Sequence, residues 1–475
     1  MKLCPYCDKP IENQWRFCHH CNKPLISDLD RRPLNSRTNS SEFEDYDSYN
    51  RYNYESEESF DVNILEDQNI DEKINQIDQK INQSSYGDNI GDLYLEKAGL
   101  YYKKRDLSNS LKELELALES FEHENVQEKI AIAHNEIGLL KEELGYFDNS
   151  IYHFDTAINI FKNMEDTIKL IQVYNNIGNA YYQLKDIENS YGFYQKAIEL
   201  AEEDNMRYEE VKSSSNIVEV LFVLQDFERI KKILKKNYNY FSQNNDIFGL
   251  INTYSKYGKL YFYLGENYYE KAYEYLNNAM ELAKQIESQI SIYAQARMQW
   301  EIFLFMGKID ILRNRLQKAE NFLLKSLESI RTFEIEADNI KESIILEDLG
   351  NLYEIRDEFE KAIEYYTLAS EIYYKFGEDF KTAELKTKIA QIYHNSLRKN
   401  IEAIDFYENA LEIFEKLEYF KEMAQIFDSL GNLYLERDLT EVAINNFEQA
   451  KYYYKEIKDN YHTELVDEKI NSLIK

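Results

Sequence analysis

Proline is missing from most of this 475-residue chain. All four prolines (Pro5, Pro10, Pro24 and Pro33) lie near the beginning of the sequence, whereas all 14 glycines lie from Gly87 onward. Proline breaks the interior of a helix because it lacks an amide hydrogen and its ring clashes with the preceding turn. Its absence after Pro33 therefore predicts a body that is mostly helical.

Positive charge and long apolar runs are also scarce. Asp and Glu number 87 against 56 Lys and Arg, so the net charge is −31. Such a surface repels phosphate, so we expect neither nucleic acid on the body nor binding to an anionic membrane. No run approaches the roughly 18 apolar residues of a membrane-spanning helix, and the first residues do not resemble a secretory leader. We therefore expect a cytoplasmic protein.

Cysteine is confined to one short stretch, CPYCDKPIENQWRFCHHC, at residues 4–21. Zn²⁺ takes four thiolates tetrahedrally, and each C-x-x-C pair presents two sulfurs on one side. So short a segment has almost no apolar core, and a bound metal would supply the missing folding free energy. We expect one structural Zn²⁺, held by Cys4, Cys7, Cys18 and Cys21.

Other cysteine chemistry fits this stretch less well. A redox dithiol of the C-x-x-C kind expects a βαβ context, and haem attachment needs a histidine where Asp8 and Asn22 stand. His19 and His20 are alternative ligands, but four thiolates make a complete and closed set. The stretch resembles the short zinc ribbons of many prokaryotic proteins, with CPxCG…FCxxCG, which implies a structural role for residues 1–25. Asp8 and Asn22 replace the two glycines of that pattern.

Two segments separate this module from the helical body. Residues 26–69 are rich in Ser, Asn, Asp and Glu without an apolar period, which predicts a disordered acidic linker. From Ile70 onward, Ile74, Ile77 and Ile81 follow at helical spacing. This spacing predicts a lead-in helix over 70–90.

The remainder of the chain is a repeat. AGLYYKKRDLSNSLKELELAL (98–118), GLLKEELGYFDNSIYHFDTAI (138–158) and GNAYYQLKDIENSYGFYQKAI (178–198) share one pattern of small and large residues. A repeat of this length is typical of a helical solenoid, in which no unit buries its apolar face alone. The leading small position recurs at Ala98, Gly138, Gly178, Val218, Gly258, Gly307, Gly350, Ala390 and Gly431.

The residue types within one repeat suit two packed helices. Gly178 would let a second helix approach closely, while Tyr194 and Ala197 of that helix pack back against it. Close helix packing needs small side chains opposite large ones. The turn between them, LKDIEN, contains an Asp suited to start a helix.

This pattern resembles the tetratricopeptide repeat (TPR) family, in its longer form of about 40 residues. The resemblance covers about 98–455 and implies an all-α solenoid, a right-handed superhelix of about nine helix pairs. We expect repeats 1–5 within 91–285, and repeats 6–9 with a C-terminal capping helix within 286–475. One longer step, from Gly258 to Gly307, predicts a bend near 285–307, with two independent domains as the alternative.

In TPR proteins the first helix of each repeat lines a concave groove that binds partners. The resemblance places amide, charged and aromatic residues in that groove: Gln172, Asn175, Asn179, Tyr182, Lys212, Ser215, Phe222, Asn252, Ser255, Lys259 and Phe262. The matching positions of later repeats are acidic: Glu301, Glu347, Glu354, Glu384 and Asp428. They predict either a site for a basic partner or a solvated acidic face.

The chain shows no catalytic motif, neither a phosphate-binding loop nor a nucleophile elbow nor H-E-x-x-H. We therefore expect a non-catalytic scaffold that binds proteins or peptides through its groove, with the zinc ribbon as an accessory. The alternative is a regulator of transcription or translation, in which the zinc ribbon contacts nucleic acid and the repeats act as a sensor. The sequence sets no oligomeric state.

Overall fold

The computed structural model describes residues 70–83, 89–332 and 339–474, and the backbone of two short strands before them. Strands β1 (Lys2–Leu3) and β2 (Pro10–Ile11) pair antiparallel, with Lys2 opposite Ile11. The four cysteines and the predicted linker 26–69 lie outside the described residues.

Helices make up the body from Ile70 onward, as the absence of proline predicts. In the described part of the chain there are twenty: α1 Ile70–Gln83, α2 Ile90–Lys103, α3 Leu107–Glu124, α4 Gln127–Glu143, α5 Phe147–Met164, α6 Thr167–Gln183, α7 Ile187–Glu203, α8 Arg207–Val223, α9 Phe227–Asn244, α10 Ile247–Tyr263, α11 Tyr269–Ile286, α12 Ile292–Leu312, α13 Leu316–Thr332, α14 Asn339–Ile355, α15 Phe359–Lys375, α16 Asp379–Gln391, α17 Asn400–Lys416, α18 Phe420–Glu436, α19 Thr440–Glu456 and α20 Asn460–Ile474.

Nine helix pairs, α2–α3 to α18–α19, form repeats 1 to 9. Each predicted small position lies on the first helix of its pair, from Ala98 on α2 to Gly431 on α18. The prediction of an all-helical body built from helix pairs is confirmed for the described residues.

The turn LKDIEN shows how the two helices of repeat 3 are joined. Leu184 caps the C-terminal end of α6, Lys185 has the left-handed φ of 59°, and α7 begins at Ile187. The Asp186 carboxylate accepts a hydrogen bond of 3.1 Å from the Asn189 amide. This bond satisfies one of the free amides at the start of a helix.

Glycine at the leading small position permits close helix packing. A Cβ atom on Gly178 would lie 2.8 Å from the Tyr194 ring, and one on Gly350 would lie 2.5 Å from the Tyr366 ring. Both distances are shorter than van der Waals contact. The second helix can therefore approach to this distance only where the first helix has no side chain.

The irregular step between Gly258 and Gly307 contains two short 3₁₀ turns and a long helix. The turns are Glu266–Tyr268 and Glu287–Gln289, and α12 is 21 residues long. The chain forms two compact units that divide between Ile302 and Phe303. The division thus falls inside α12, the first helix of repeat 6.

Helices outside the nine pairs close the described body at each end. Ile74 and Ile77 of α1 are buried in a cluster with Leu100. This helix spans Ile70–Gln83, within the predicted lead-in segment 70–90. At the other end, Val466 of α20 is buried against repeat 9. No helix in the described ranges combines the length and apolar character needed to cross a bilayer.

Candidate functional site: the inner face of repeats 3 to 5

The predicted groove residues lie on three consecutive first helices, α6, α8 and α10. The structure therefore brings them together on one face, which we call the inner face. All of them are buried except Gln172, which is half-buried. The resemblance implied an open surface for a partner, but in this structure the chain itself covers that surface.

Amide side chains connect the first helices of successive repeats. Asn176 Nδ2 donates to Asn135 Oδ1 at 2.8 Å, and Asn216 Nδ2 donates to Asn175 Oδ1 at 2.9 Å. Asn175 Nδ2 in turn donates to Ser213 Oγ at 2.8 Å. Each of these bonds joins a residue on one first helix to a residue about one repeat away. The amides thus form a polar seam along α4, α6 and α8.

A cluster of four charged side chains continues this seam. Lys259 Nζ lies 2.9 Å from Glu219 Oε2 and 2.9 Å from Glu301 Oε1, and Lys256 Nζ also binds Glu219. All four side chains are at most 3% exposed. The cluster is neutral as a whole, as a buried set of charges must be to avoid a large desolvation cost.

The ionised state of Glu219 is held by its two lysines. Burial acts to raise the pKa of this carboxyl, but the charges and hydrogen bonds of Lys256 and Lys259 outweigh it and lower the pKa to about 2. Glu219 therefore stays negative across the physiological pH range.

Several polar atoms of the inner face have no partner. Ser255 Oγ, Asn176 Oδ1 and Asn216 Oδ1 are buried and unpaired within the described residues. The Asn252 side chain is 7% exposed and makes no hydrogen bond to the described part of the chain. Buried polar groups are nearly always hydrogen-bonded in folded proteins, so the three buried oxygens have unused capacity to accept a hydrogen bond from water or from a bound molecule.

The inner face of the C-terminal unit is arranged differently. Glu347 lies 3.5 Å from Lys381 on α16, the next first helix, and Asp428 lies 2.5 Å from Lys469 on the terminal helix α20. The chain's own lysines thus neutralise these two carboxylates. Gln391 is exposed here, so this inner face is accessible to solvent.

A histidine pair lies outside the inner face, between the two helices of repeat 2. His134 Nδ1 and His153 Nδ1 are 2.9 Å apart. Burial lowers the pKa of both rings, and Lys141 and His134 help to lower that of His153 to about 4. Burial also raises the pKa of Glu136, on the same helix as His134, to about 7. The histidines are therefore neutral at physiological pH and share one proton in a hydrogen bond.

Sequence reasoning missed residues that the structure adds to the site. Lys256 completes the charged cluster, and Arg105, Glu143 and Arg297 form a second cluster described below. One signal in the sequence could have indicated the charged cluster around Glu219. Opposite charges on first helices recur about one repeat apart, as in Glu219 and Lys259.

The predicted zinc ligands lie outside the described residues. In the ranges that the structure describes, no three His, Cys, Asp or Glu side chains are grouped so as to hold a metal ion.

Comparison with protein-family models gives two matches. Residues 313–473 match the model of the soluble NSF attachment protein, SNAP, and residues 129–203 match a tetratricopeptide repeat model. They identify TPR repeats in the chain and support a SNAP-like TPR solenoid fold. No curated protein matches the chain significantly.

Solved structures share this fold at low sequence identity. The chain is similar to a signal-transduction ATPase with a tetratricopeptide repeat sensor from Pyrococcus horikoshii, at 13% identity and a TM-score of 0.55. The match covers 80% of this chain and 55% of that protein, so the chain spans about half its length. This similarity supports the fold and says nothing of activity.

Two structures of the quorum sensor NprR are also similar. The apo form from B. thuringiensis has 14% identity and a TM-score of 0.45, covering 74% of this chain and 99% of that one. The complex of NprR with its cognate peptide NprX has 18% identity and a TM-score of 0.46, covering 67% and 90%.

Proposed function

We propose that this protein is a non-catalytic scaffold that binds a protein or peptide partner through the inner face of repeats 3 to 5. The observation that carries the proposal is the set of unpaired polar atoms on that face. Asn252 and Ser255 lie one helical turn apart on α10 and both lack a partner in the described chain. An amide both donates and accepts, so Asn252 suits the backbone of a bound peptide.

Stability alone does not explain why the inner face is polar. Buried charges such as Glu219 and Lys256 lose hydration that their mutual attraction only partly restores, and an apolar core of equal volume is often more stable. A chain that only needed rigid repeats would do better with aliphatic residues there. Binding a polar partner is a reason to keep the amides and charges.

The binding role is tested with Asn252→Ala, because this substitution breaks no hydrogen bond within the described chain. Partners captured from the native host by the full chain should fall at least fivefold. Asn445→Ala is the matched control, since Asn445 is an exposed amide on the second helix α19. Equal capture of partners by both variants would show that the binding surface does not include Asn252 on α10.

We also propose that the N-terminal module binds one structural Zn²⁺ in the cytoplasm, where thiols stay reduced. Cys4 and Cys7 lie in the sequence between strands β1 and β2, whose antiparallel pairing suits a small zinc ribbon. The four thiolates of Cys4, Cys7, Cys18 and Cys21 match the softness and number of ligands that Zn²⁺ prefers. The bound metal would supply folding free energy to this module and hold the two pairs together.

Metal analysis of the purified protein tests this module. About one equivalent of zinc per chain is expected, and Cys18→Ser should lose it because three thiolates bind zinc more weakly. A natively folded protein without zinc would exclude the module as a metal site.

A further inference from the structure

Burial on every side occurs on first helices in the middle of the described chain. Every residue of α8 from Glu210 to Phe222 is buried, and so is every residue of α10 from Ser255 to Phe262. A helix on the surface of a solenoid would leave one side exposed. First helices later in the chain do so, since Gln391 on α16 and Gln425 on α18 are exposed. The repeat itself therefore does not require a covered inner face.

The cover comes from first helices that meet across the inner face. Arg297 on α12 lies 3.9 Å from the Glu143 carboxylate at the end of α4. Both helices are first helices, and those of repeats 3 to 5 lie between them in the sequence. Because first helices line the inner side, a contact between α4 and α12 encloses the inner face of α6, α8 and α10.

The contact involves five side chains from α2, α4, α12 and the turn after α2. Glu143 accepts hydrogen bonds from Tyr102 Oη at 2.8 Å and from Arg105 Nη1 at 3.3 Å. The Arg105 guanidinium also lies 5.8 Å from the centre of the Tyr293 ring, on α12. Glu143 thus binds cations from both sides of the enclosed face.

We propose that this five-residue cluster is a latch that closes the inner face of the N-terminal unit, and that a partner gains access when it opens. The regulatory part of this inference rests on the function proposed above, whereas the closure itself does not. The latch holds the unit in a state in which Ser255 and Asn252 are enclosed. Opening would expose them for binding.

The strength of the latch suits a reversible contact. The Arg297–Glu143 distance of 3.9 Å is at the limit of an ion pair, and the Tyr293 ring is 46% exposed. At this separation the pair forms no hydrogen bond, and a cation–π contact at an exposed ring contributes little to stability. Compared with the fully buried cluster around Glu219, the latch is the weaker part of the unit.

A cysteine at position 255 would report opening directly. The Ser255 side chain is 1% exposed and its hydroxyl has no partner, so Ser255→Cys changes one atom and breaks no bond. The rate of alkylation at this position in the full chain, followed by peptide mass spectrometry, measures how often the inner face opens. Ser370→Cys, buried in the C-terminal unit, reports global unfolding in parallel.

Arg297→Ala in this background should raise the alkylation rate at position 255 about tenfold, the change expected when about 1.4 kcal/mol of closure is lost. Tyr293→Ala, an exposed position that cannot collapse the core, should raise it about threefold. Lys129→Ala is the matched control. It removes a 2.6 Å bridge to Asp92 between neighbouring first helices and should change the rate less than twofold.

Unchanged alkylation at position 255 in both latch variants would overturn the proposal. So would equal acceleration at positions 255 and 370, because that pattern indicates unfolding of the whole chain. If position 255 opens while Asn252→Ala leaves partner capture unchanged, the latch stands and the proposed binding face is wrong.

Discussion

Single residues set how closely the two helices of each repeat can pack. Gly178 and Gly192 belong to the same repeat but differ in their surroundings. A Cβ atom on Gly178 would overlap the Tyr194 ring, whereas one on Gly192 would meet nothing within 4 Å. The chemistry of the two substitutions to alanine is identical, so the space around each residue decides the outcome.

Gly178→Ala should lower the free energy of unfolding by about 1–3 kcal/mol, because the packed ring must move. Gly192→Ala should raise it by about 0.5–1 kcal/mol, because alanine restricts the unfolded chain and favours the helix interior. Urea unfolding followed by circular dichroism compares the two midpoints. Shifts of equal sign would contradict the packing seen at Gly178.

Pairs of first helices are held together by polar contacts as well as apolar ones. In the N-terminal unit, Glu219 of α8 lies between Lys256 and Lys259 of α10. Removing its charge leaves two buried ammonium groups with too few carboxylates. Such an imbalance lowers the free energy of unfolding by far more than the intact ion pairs of Glu219 contribute to it.

Glu219→Gln should therefore destabilise the protein by about 3–5 kcal/mol. The control is Glu412→Gln, which breaks the exposed bridge of 2.8 Å to Lys416 and should leave the midpoint unchanged. Thermal unfolding of both variants gives the comparison. A near-native midpoint for Glu219→Gln would mean that the cluster is hydrated in solution.

At the scale of the whole molecule, each repeat is stabilised mainly by its neighbours. Helix α20 covers the last repeat, and its Val466 side chain is fully buried with Phe447 and Tyr454. Leu465, the preceding residue, is 39% exposed. Substitutions in α20 can therefore test whether loss of packing at one repeat destabilises only the neighbouring helices.

Val466→Asp should uncover repeat 9 at a cost of roughly 3 kcal/mol or more, because it buries an unpaired charge. Hydrogen exchange should accelerate in α18 to α20 and stay unchanged in α4 to α8. Leu465→Asp should change neither region. Acceleration throughout the chain would show that the solenoid unfolds as one cooperative body.

The sequence alone determined the helical architecture and the residues that share a face. The absence of proline, the spacing from Gly138 to Gly178 and the position of Tyr194 predict helix pairs because packing within a repeat is local. The resemblance to TPR proteins, carried over by position, implied one face for Asn175, Asn252 and Ser255 on the first helices.

Only the tertiary structure decided whether that face is open. The face is enclosed because Arg297 meets Glu143, more than three repeats away. Whether they meet depends on how the small rotations between successive helix pairs add up. It also decided that Lys381 and Lys469 neutralise acidic positions that looked free in the sequence. Local patterns set each helix and each turn, but distant contacts depend on how small rotations add up, and no single repeat encodes that sum.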